Sequence, residues 1–153
     1  MDKIYTLSSI GIGLATPDEI IQYASVPMDP EISIIDPPAG ECIDPTTFLA
    51  YSIHTEEIVG AAILYNYSQW YNSIEFGARI WNRDNWNMGY GREIAMLTCQ
   101  YAFHEIGVYE VNLKVLPENT RAIKSYINAG FIQLRTEYID NYLFIRMVRY
   151  ACS

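Results

Sequence analysis

Alternation of apolar and polar residues predicts a β-strand over residues 73–81. Successive side chains of a strand point to opposite faces, and one face here is entirely apolar: Ile74, Phe76, Ala78 and Ile80. The other face is mixed: Glu75, Gly77, Arg79 and Trp81. We expect the apolar face to lie in the core and the mixed face to carry chemistry.

Other runs rich in aliphatic, β-branched and aromatic residues also predict strands. They cover residues 4–15, 48–53, 58–65, 108–116, 131–139 and 142–150. Polar turns at residues 54–57 and 140–141 join two pairs of these runs into hairpins. The pattern therefore favours an α/β chain with a sheet rich in antiparallel pairs.

Helix signals occur at three places. Thr16-Pro17-Asp18-Glu19 combines a capping box with proline at the first helical position, which predicts a short helix at about residues 17–24. Residues 89–107 have apolar side chains at helical spacing and end at a glycine. Residues 119–129 begin with asparagine, a preferred N-cap, and stop before Gly130. The proline-rich residues 26–47 predict a loop with one further short helical piece.

Composition narrows the class of protein. The 153 residues, 50% hydrophobic and 18% charged, predict one α/β domain spanning 1–153. Lys and Arg total 10 against 18 for Asp and Glu, and a net charge of −8 argues against nucleic acid or a membrane as a partner. The 3 cysteines have neither disulfide nor zinc spacing, so we expect no metal and a reducing, cytoplasmic location. The first 15 residues make a poor signal peptide, and no apolar run is long enough to span a membrane.

The segment Trp86-Asn87-Met88-Gly89-Tyr90-Gly91-Arg92 lies between a predicted strand and a long predicted helix. The first turn of a helix has unpaired N–H groups and the positive end of its dipole, and glycines allow a phosphate to approach the backbone. The dinucleotide fingerprint is not met, because its third glycine would fall at Ile94. The segment therefore predicts either an anion site or a tight loop.

A second segment, Pro117-Glu118-Asn119-Thr120-Arg121-Ala122-Ile123-Lys124-Ser125-Tyr126-Ile127-Asn128-Ala129-Gly130-Phe131, resembles the C-terminal signature of the GNAT N-acetyltransferases. The pyrophosphate loop of that family, Gln/Arg-x-x-Gly-x-Gly/Ala, is matched by residues 86–91 with Trp at its first position. Trp at this position resembles the branch of ribosomal-protein alanine and polyamine acetyltransferases. The resemblance covers about residues 59–135 and leaves the first 45 residues poorly matched.

The resemblance implies a mixed, mostly antiparallel central sheet that splays between its fourth and fifth strands, residues 73–81 and 108–116, with helices on both faces. Acetyl-coenzyme A (acetyl-CoA) would lie in the gap, with the backbone of residues 80–82 paired to the pantetheine and residues 87–92 on the pyrophosphate. The implied cofactor-binding residues are Ile80, Trp81, Asn82, Asn87, Met88, Gly89, Tyr90, Gly91, Arg92, Asn119 and Arg121. Asn119 also fits a plain helix N-cap.

Tyr126 matches the family's general acid, which would protonate the departing thiolate, and its alternative role is a core aromatic. Glu75 is the first candidate for general base. The alternative for Glu75 is a carboxylate that binds the substrate ammonium or pairs with a basic residue. The bacterial ribosomal-protein branch has a glutamate where this chain has Lys114, so a water chain also remains open as the base.

The predicted function is acetyl transfer from acetyl-CoA to a primary amine. Acidic residues in the proline-rich segment, which in this family lies over the acceptor site, favour a cationic small molecule such as a polyamine or an aminoglycoside. These residues are Asp29, Glu31, Asp36, Glu41 and Asp44. The alternatives are acetylation of a protein N-terminus or lysine and a non-catalytic acyl-CoA-binding module. The sequence leaves open whether the protein forms a homodimer.

Overall fold

A computed structural model describes residues 1–24, 39–82, 85 and 88–152. Eight strands of this part of the chain form one sheet in the order β1-β2-β3-β4-β5-β6-β8-β7. Their bounds are β1 Asp2–Thr6, β2 Ile10–Leu14, β3 Thr46–Ser52, β4 Ile58–Ser68, β5 Ser73–Ile80, β6 Glu110–Val115, β7 Ile132–Ile139 and β8 Tyr142–Tyr150. Neighbouring strands are antiparallel except β5 and β6, which are parallel. The predicted mixed, mostly antiparallel sheet is confirmed.

The prediction of one strand over residues 4–15 is wrong. The chain forms the hairpin β1–β2 instead, with the Leu7 N–H donating to the Ile10 carbonyl at 2.8 Å across its turn. The buried Glu93 carboxylate accepts hydrogen bonds from the Ser9 N–H at 2.9 Å and the Ile10 N–H at 3.2 Å. A contact made from 84 residues away thus stabilises this turn.

The helices begin and end close to the predicted signals. They are α1 Pro17–Ala24, α2 Tyr90–Tyr101 and α3 Thr120–Asn128. The capping box before α1 is formed in both directions, since the Thr16 N–H donates to Glu19 Oε1 and the Glu19 N–H donates to Thr16 Oγ1. A π-helical turn, Ala102–Ile106, continues α2 as far as Gly107, whose φ is 83°. None of the described helices is long and apolar enough to cross a membrane.

Helices cover both faces of the sheet. Helix α2 packs on the face of β5 that carries Ile74 and Phe76, which are 4% and 1% exposed. On the opposite face, Tyr23 of α1 stacks on Trp81, with ring centroids 6.0 Å apart. The predicted alternation of β5 and the two-sided helix cover are both confirmed.

The sheet splays between β5 and β6. The two strands pair only from Ser73 opposite Glu110 to Glu75 opposite Asn112, and beyond this point each continues without the other. The expected splay is therefore present, but it lies between the fifth and sixth strands, because the N-terminal residues form two strands instead of one.

Candidate active site

A cavity occupies the gap where β5 and β6 diverge. Its walls come from the end of β5, the first turns of α2, the end of β6, the helix α3 and Phe144 of β8. The splay itself makes this space, because no strand fills the position beside the second half of β5. Sheet edges left open in this way expose backbone N–H and C=O groups that a ligand can pair with.

At the end of β5, the backbone groups of some residues point to the neighbouring strand β4 and those of others point to the cavity. The Trp81 N–H donates to the Val59 carbonyl on β4 at 3.2 Å, so this donor belongs to the sheet. Because successive peptide groups of a strand point to opposite edges, the backbone of Ile80 faces the gap. Ile80 lines the cavity, whereas the Trp81 ring stacks on α1.

The predicted anion loop leads into α2 at Gly89. Gly89 is the N-cap with a φ of 78°, and no side chain caps this helix end. Gly91, in the first turn, lines the cavity. Met88 is 54% exposed, whereas Tyr90 is 7% exposed and belongs to the core. Uncapped N–H groups beside a glycine on the cavity wall are a local environment suited to an anion.

Within its described residues, the structure does not bring the other predicted residues of this loop together at one place. Arg92 donates to the Met96 sulfur at 3.3 Å, within its own helix. The Asn85 N–H donates to the Asn82 carbonyl at 3.0 Å, which closes a turn after β5. Asn87 lies outside the described residues.

Helix α3 supplies the facing wall. Asn119 and Arg121, at its start, both line the cavity. The Asn119 side chain accepts a hydrogen bond from the Ala122 N–H at 3.3 Å, so the N-cap interpretation holds and leaves the rest of its amide at the cavity wall.

Tyr126 also lines the cavity and at the same time packs against the core. Its ring meets Phe76 edge to face, with centroids 5.9 Å apart and planes at 90°, and lies 5.9 Å from Phe131. Such packing fixes the ring, so the two interpretations of Tyr126 describe one residue: an aromatic held by the core whose side chain reaches the cavity.

Glu75 lies at the centre of a buried polar cluster on the other face of the sheet. Its carboxylate accepts hydrogen bonds from the Tyr65 hydroxyl at 2.7 Å and from Asn66 Nδ2 at 3.3 Å. Lys114 Nζ lies 3.0 Å from Glu75 Oε2 and Arg146 Nη1 lies 3.3 Å from the same oxygen. Glu75 thus pairs with two basic residues, which is the geometry of the ion-pair alternative.

The surroundings of Glu75 favour its ionised form. Burial alone would raise the pKa of this carboxyl, but the hydrogen bond from Tyr65 and the charges of Lys114 and Arg146 outweigh it, so the pKa lies below its ordinary value. Burial, together with the neighbouring carboxylate, raises the pKa of Tyr65. At neutral pH the cluster therefore holds a carboxylate and a protonated phenol.

Sequence reasoning did not identify Arg146 or Tyr65 as members of this cluster. The signal for Arg146 was present, because it is a charged residue between two apolar neighbours on one face of a strand, Phe144 and Val148. A charge at such a position needs a buried partner. Arg146 has two, since it also pairs with Glu137 on β7.

The end of the proline-rich segment lies against this cluster. Asn66 holds it by donating to the Glu41 carbonyl at 2.9 Å and by accepting from the Ile43 N–H at 2.8 Å. Glu41 and Asp44 are exposed there. The remaining carboxylates predicted for this segment, Asp29, Glu31 and Asp36, lie outside the described residues.

Residues 28–132 match the acetyltransferase (GNAT) domain family. The chain belongs to this family. A search of curated protein sequences finds no significant match.

The fold is similar to solved acetyltransferases. Aminoglycoside acetyltransferase AAC(6')-Ib in complex with paromomycin and acetyl-CoA matches with a TM-score of 0.77 at 17% identity, over 94% of each chain. Spermidine N-acetyltransferase from Vibrio cholerae, in complex with CoA and spermine, matches with a TM-score of 0.73 at 15% identity, over 92% of this chain and 95% of its own. The predicted family, the enzyme class of acetyl-CoA-dependent N-acetyltransferase and the cofactor are confirmed.

Proposed function

We propose that this enzyme acetylates a small-molecule primary amine that carries positive charge. The observation that carries the proposal is the cavity in the splay, where the open edge of β5, the uncapped start of α2 and Tyr126 come together. These are the parts that acyl transfer from a long, anionic thioester to an amine requires.

The residues of the cavity fit acetyl-CoA, which when bound supplies an acetyl group activated as a thioester. We assign the pyrophosphate to the first-turn N–H groups at Gly89, Tyr90, Gly91 and Arg92, with Met88 beside them. The backbone of Ile80 would pair with the pantetheine along the open edge of β5, and Trp81 and Asn82 would continue that edge. Asn119 and Arg121 would bind the cofactor from the opposite wall. Asn87 is proposed for the pyrophosphate loop on its sequence position alone.

Tyr126 is the proposed general acid. Its ring packs against Phe76 and Phe131 and its side chain lines the cavity, which supports a fixed position for a proton donor there. A phenol, with an ordinary pKa of about 10, carries a proton at neutral pH and can donate it to a departing sulfur.

Glu75 is more suitable as a positioning residue than as the base. It is 8% exposed, lies behind Lys114 and is paired with two cations, which disfavour its taking up a proton. We assign proton removal from the amine to water. Glu75→Gln distinguishes the two roles: loss of the base lowers turnover at saturating amine, whereas loss of a positioning group raises KM and preserves turnover.

Three observations support a cationic acceptor. The net charge of −8 attracts cations, Glu41 and Asp44 are exposed on the segment that reaches the Glu75 cluster, and structurally similar enzymes have been solved with paromomycin, kanamycin and spermine. A protein N-terminus or lysine is the second candidate, since the sequence of the anion loop resembles the ribosomal-protein branch.

The test is release of free thiol from acetyl-CoA by the purified protein, with polyamines, aminoglycosides, single amines and amino-terminal peptides as acceptors. We expect turnover with the cationic small molecules. Turnover only with peptides would favour the second candidate, and CoA binding without any turnover would indicate a non-catalytic module.

Tyr126→Phe tests the general acid. We expect turnover to fall by about 100-fold or more, with CoA affinity little changed, because the variant keeps the ring and loses only the proton donor. Tyr71→Phe is the matched control, since Tyr71 is 73% exposed at the β4–β5 turn, away from the cavity. Equal turnover in Tyr126→Phe and Tyr71→Phe would make Tyr126 a packing residue.

A further inference from the structure

We propose that Lys114 determines acceptor specificity by selecting amines that carry an oxygen close to the reacting nitrogen, such as amino sugars, over linear polyamines. The inference rests on the proposed function and narrows its substrate class. It follows from the position of Lys114, its hydrogen bonds and the charges around it.

Lys114 projects from β6 to the cavity wall, with its side chain 14% exposed. Its ammonium group has three N–H donors. One bonds Glu75 Oε2 at 3.0 Å and one bonds the Tyr65 hydroxyl at 3.1 Å. Among the residues that the structure describes, the third donor has no partner, and we assign it to an acceptor atom in the cavity.

The Lys114 ammonium group is confined on two sides, by the sheet and by the segment that contains Gly40. Glu75 and Tyr65 hold it from the sheet, and the segment above it approaches so closely that a Cβ added at Gly40 would lie 3.8 Å from Lys114 Nζ. A donor fixed in this way loses little freedom when it bonds a ligand. Lys114 is therefore suited to recognise an atom at a defined position.

The charged residues that line the cavity determine which kind of ligand atom Lys114 can bind. The charged side chains lining the described part of the cavity are Arg79, Lys114 and Arg121, and no carboxylate lines it there. Glu75 lies behind Lys114 and already has two cationic partners. An ammonium group at this wall would meet a like charge, whereas a hydroxyl, ether or carboxylate oxygen would accept the third hydrogen bond.

Linear polyamines and amino sugars differ in this respect. A polyamine carries ammonium groups and methylenes, and the lone pair of its one neutral nitrogen is the nucleophile, so it has no further atom that can accept a hydrogen bond from Lys114. An amino sugar carries hydroxyl and ring oxygens one or two carbons from its amine. Both are cations and are attracted by the net charge of the chain, so Lys114 would act after long-range attraction, at the site itself.

The experiment compares two acceptors that differ by one hydroxyl, 1,3-diamino-2-propanol and 1,3-diaminopropane, with glucosamine and spermidine as a second pair. We expect kcat/KM to favour the oxygenated member by about 10-fold or more, the range of a hydrogen bond to a charged donor. In Lys114→Met the preference should disappear, and in Lys114→Arg it should persist. Because intrinsic amine reactivity is the same for every variant, the change in the ratio reports the side chain alone.

Lys3→Met is the matched control, because it removes the same charge at an exposed residue of β1 whose Nζ lies 3.7 Å from Glu56. It should leave the ratio unchanged. A ratio below about twofold in the wild type, or the same ratio in wild type and Lys114→Met, overturns the inference. If Lys114→Met does not fold, a wild-type ratio below about twofold still overturns the inference, and Lys114→Leu replaces the methionine variant in the comparison.

Calorimetric titration of the same amines into the protein–CoA complex separates this inference from the proposed function. Tighter binding of the oxygenated amine in the wild type, lost in Lys114→Met, supports the role of Lys114 whether or not turnover occurs. Equal binding of both members of a pair overturns it. Absence of turnover with every amine overturns only the proposed function.

Discussion

At the scale of single residues, Glu75 couples the charge of the site to the stability of the fold. Its pKa is lowered in the folded chain, so its ionisation stabilises the fold above the ordinary glutamate pKa of about 4.3, and this contribution is lost as pH falls through the lowered value. We expect Glu75→Gln to reduce stability at pH 7 by about 3 kcal/mol, because it leaves the Lys114 ammonium without its buried partner charge and leaves Arg146 with Glu137 alone.

The difference in stability between wild type and Glu75→Gln should narrow as pH falls below about 4, since protonated Glu75 resembles glutamine. Thermal unfolding of both proteins between pH 3 and 7 measures this. Glu56→Gln is the control: its ion pair with Lys3 is exposed, and its loss should cost less than about 1 kcal/mol. A difference between wild type and Glu75→Gln that stays constant with pH would contradict the ion-pair account.

The cysteines provide a second prediction at this scale. Cys99 is fully buried, and burial raises the pKa of its thiol to about 12 despite the opposing effect of Arg149. Cys42 and Cys152 are exposed. We expect two thiols to react quickly with a disulfide reagent in the native protein and the third only after unfolding, because the thiolate is the reactive form. Fast reaction of all three native thiols would contradict the burial of Cys99 on the core side of α2.

At the scale of elements, the start of α2 is predicted to bind the anionic part of the cofactor. Gly89 and Gly107 form a matched pair for testing this: their φ values are 78° and 83°, and nothing lies within 4 Å of a Cβ added to either. A valine at either position is strained by about 1 to 2 kcal/mol, because this backbone region disfavours side chains with a Cβ.

Gly89→Val and Gly107→Val should therefore lose similar stability in thermal unfolding. Only Gly89→Val should also weaken CoA binding, by about 10-fold or more, because relief of its strain moves the first-turn N–H groups away from the pyrophosphate. Asparagine at Gly89, which tolerates a positive φ, should be intermediate. Equal CoA affinity in the two valine variants would place the pyrophosphate elsewhere.

At the scale of the whole molecule, the net charge of −8 should act on the acceptor at long range. The Debye length falls from about 30 Å at 0.01 M salt to about 8 Å at 0.15 M, so added salt screens this attraction. We expect KM for a polycationic acceptor to rise several-fold over this range. KM for the anionic cofactor should not rise with salt, and kcat at saturating substrates should not change. An acceptor KM that is indifferent to salt would favour an uncharged acceptor or a peptide bound through its backbone.

Much of the fold could be predicted because its signals are local. The capping box at Thr16 and Glu19, the N-cap at Asn119 and the turn at Asp140 and Asn141 each depend on residues a few positions apart. The alternation in β5 depends only on the geometry of a strand. Local signals also identified the two walls of the cavity, since the anion loop and the helix with Tyr126 are each contiguous in sequence.

The tertiary structure alone decided what these residues do together. Glu93 is a helix residue whose carboxylate accepts hydrogen bonds from the turn, 84 positions away, that joins the two N-terminal strands. Glu75 stands alone in the sequence, but the sheet places Lys114, 39 residues away, and Arg146 beside it. The state of a buried carboxylate depends on the charges around it, and those charges come from strands that only the sheet order makes neighbours. The chain's own pattern therefore determined the elements and the predicted anion loop, whereas the pairing of strands decided that Glu75 is an ion-paired anion and that Lys114 lies at the cavity wall.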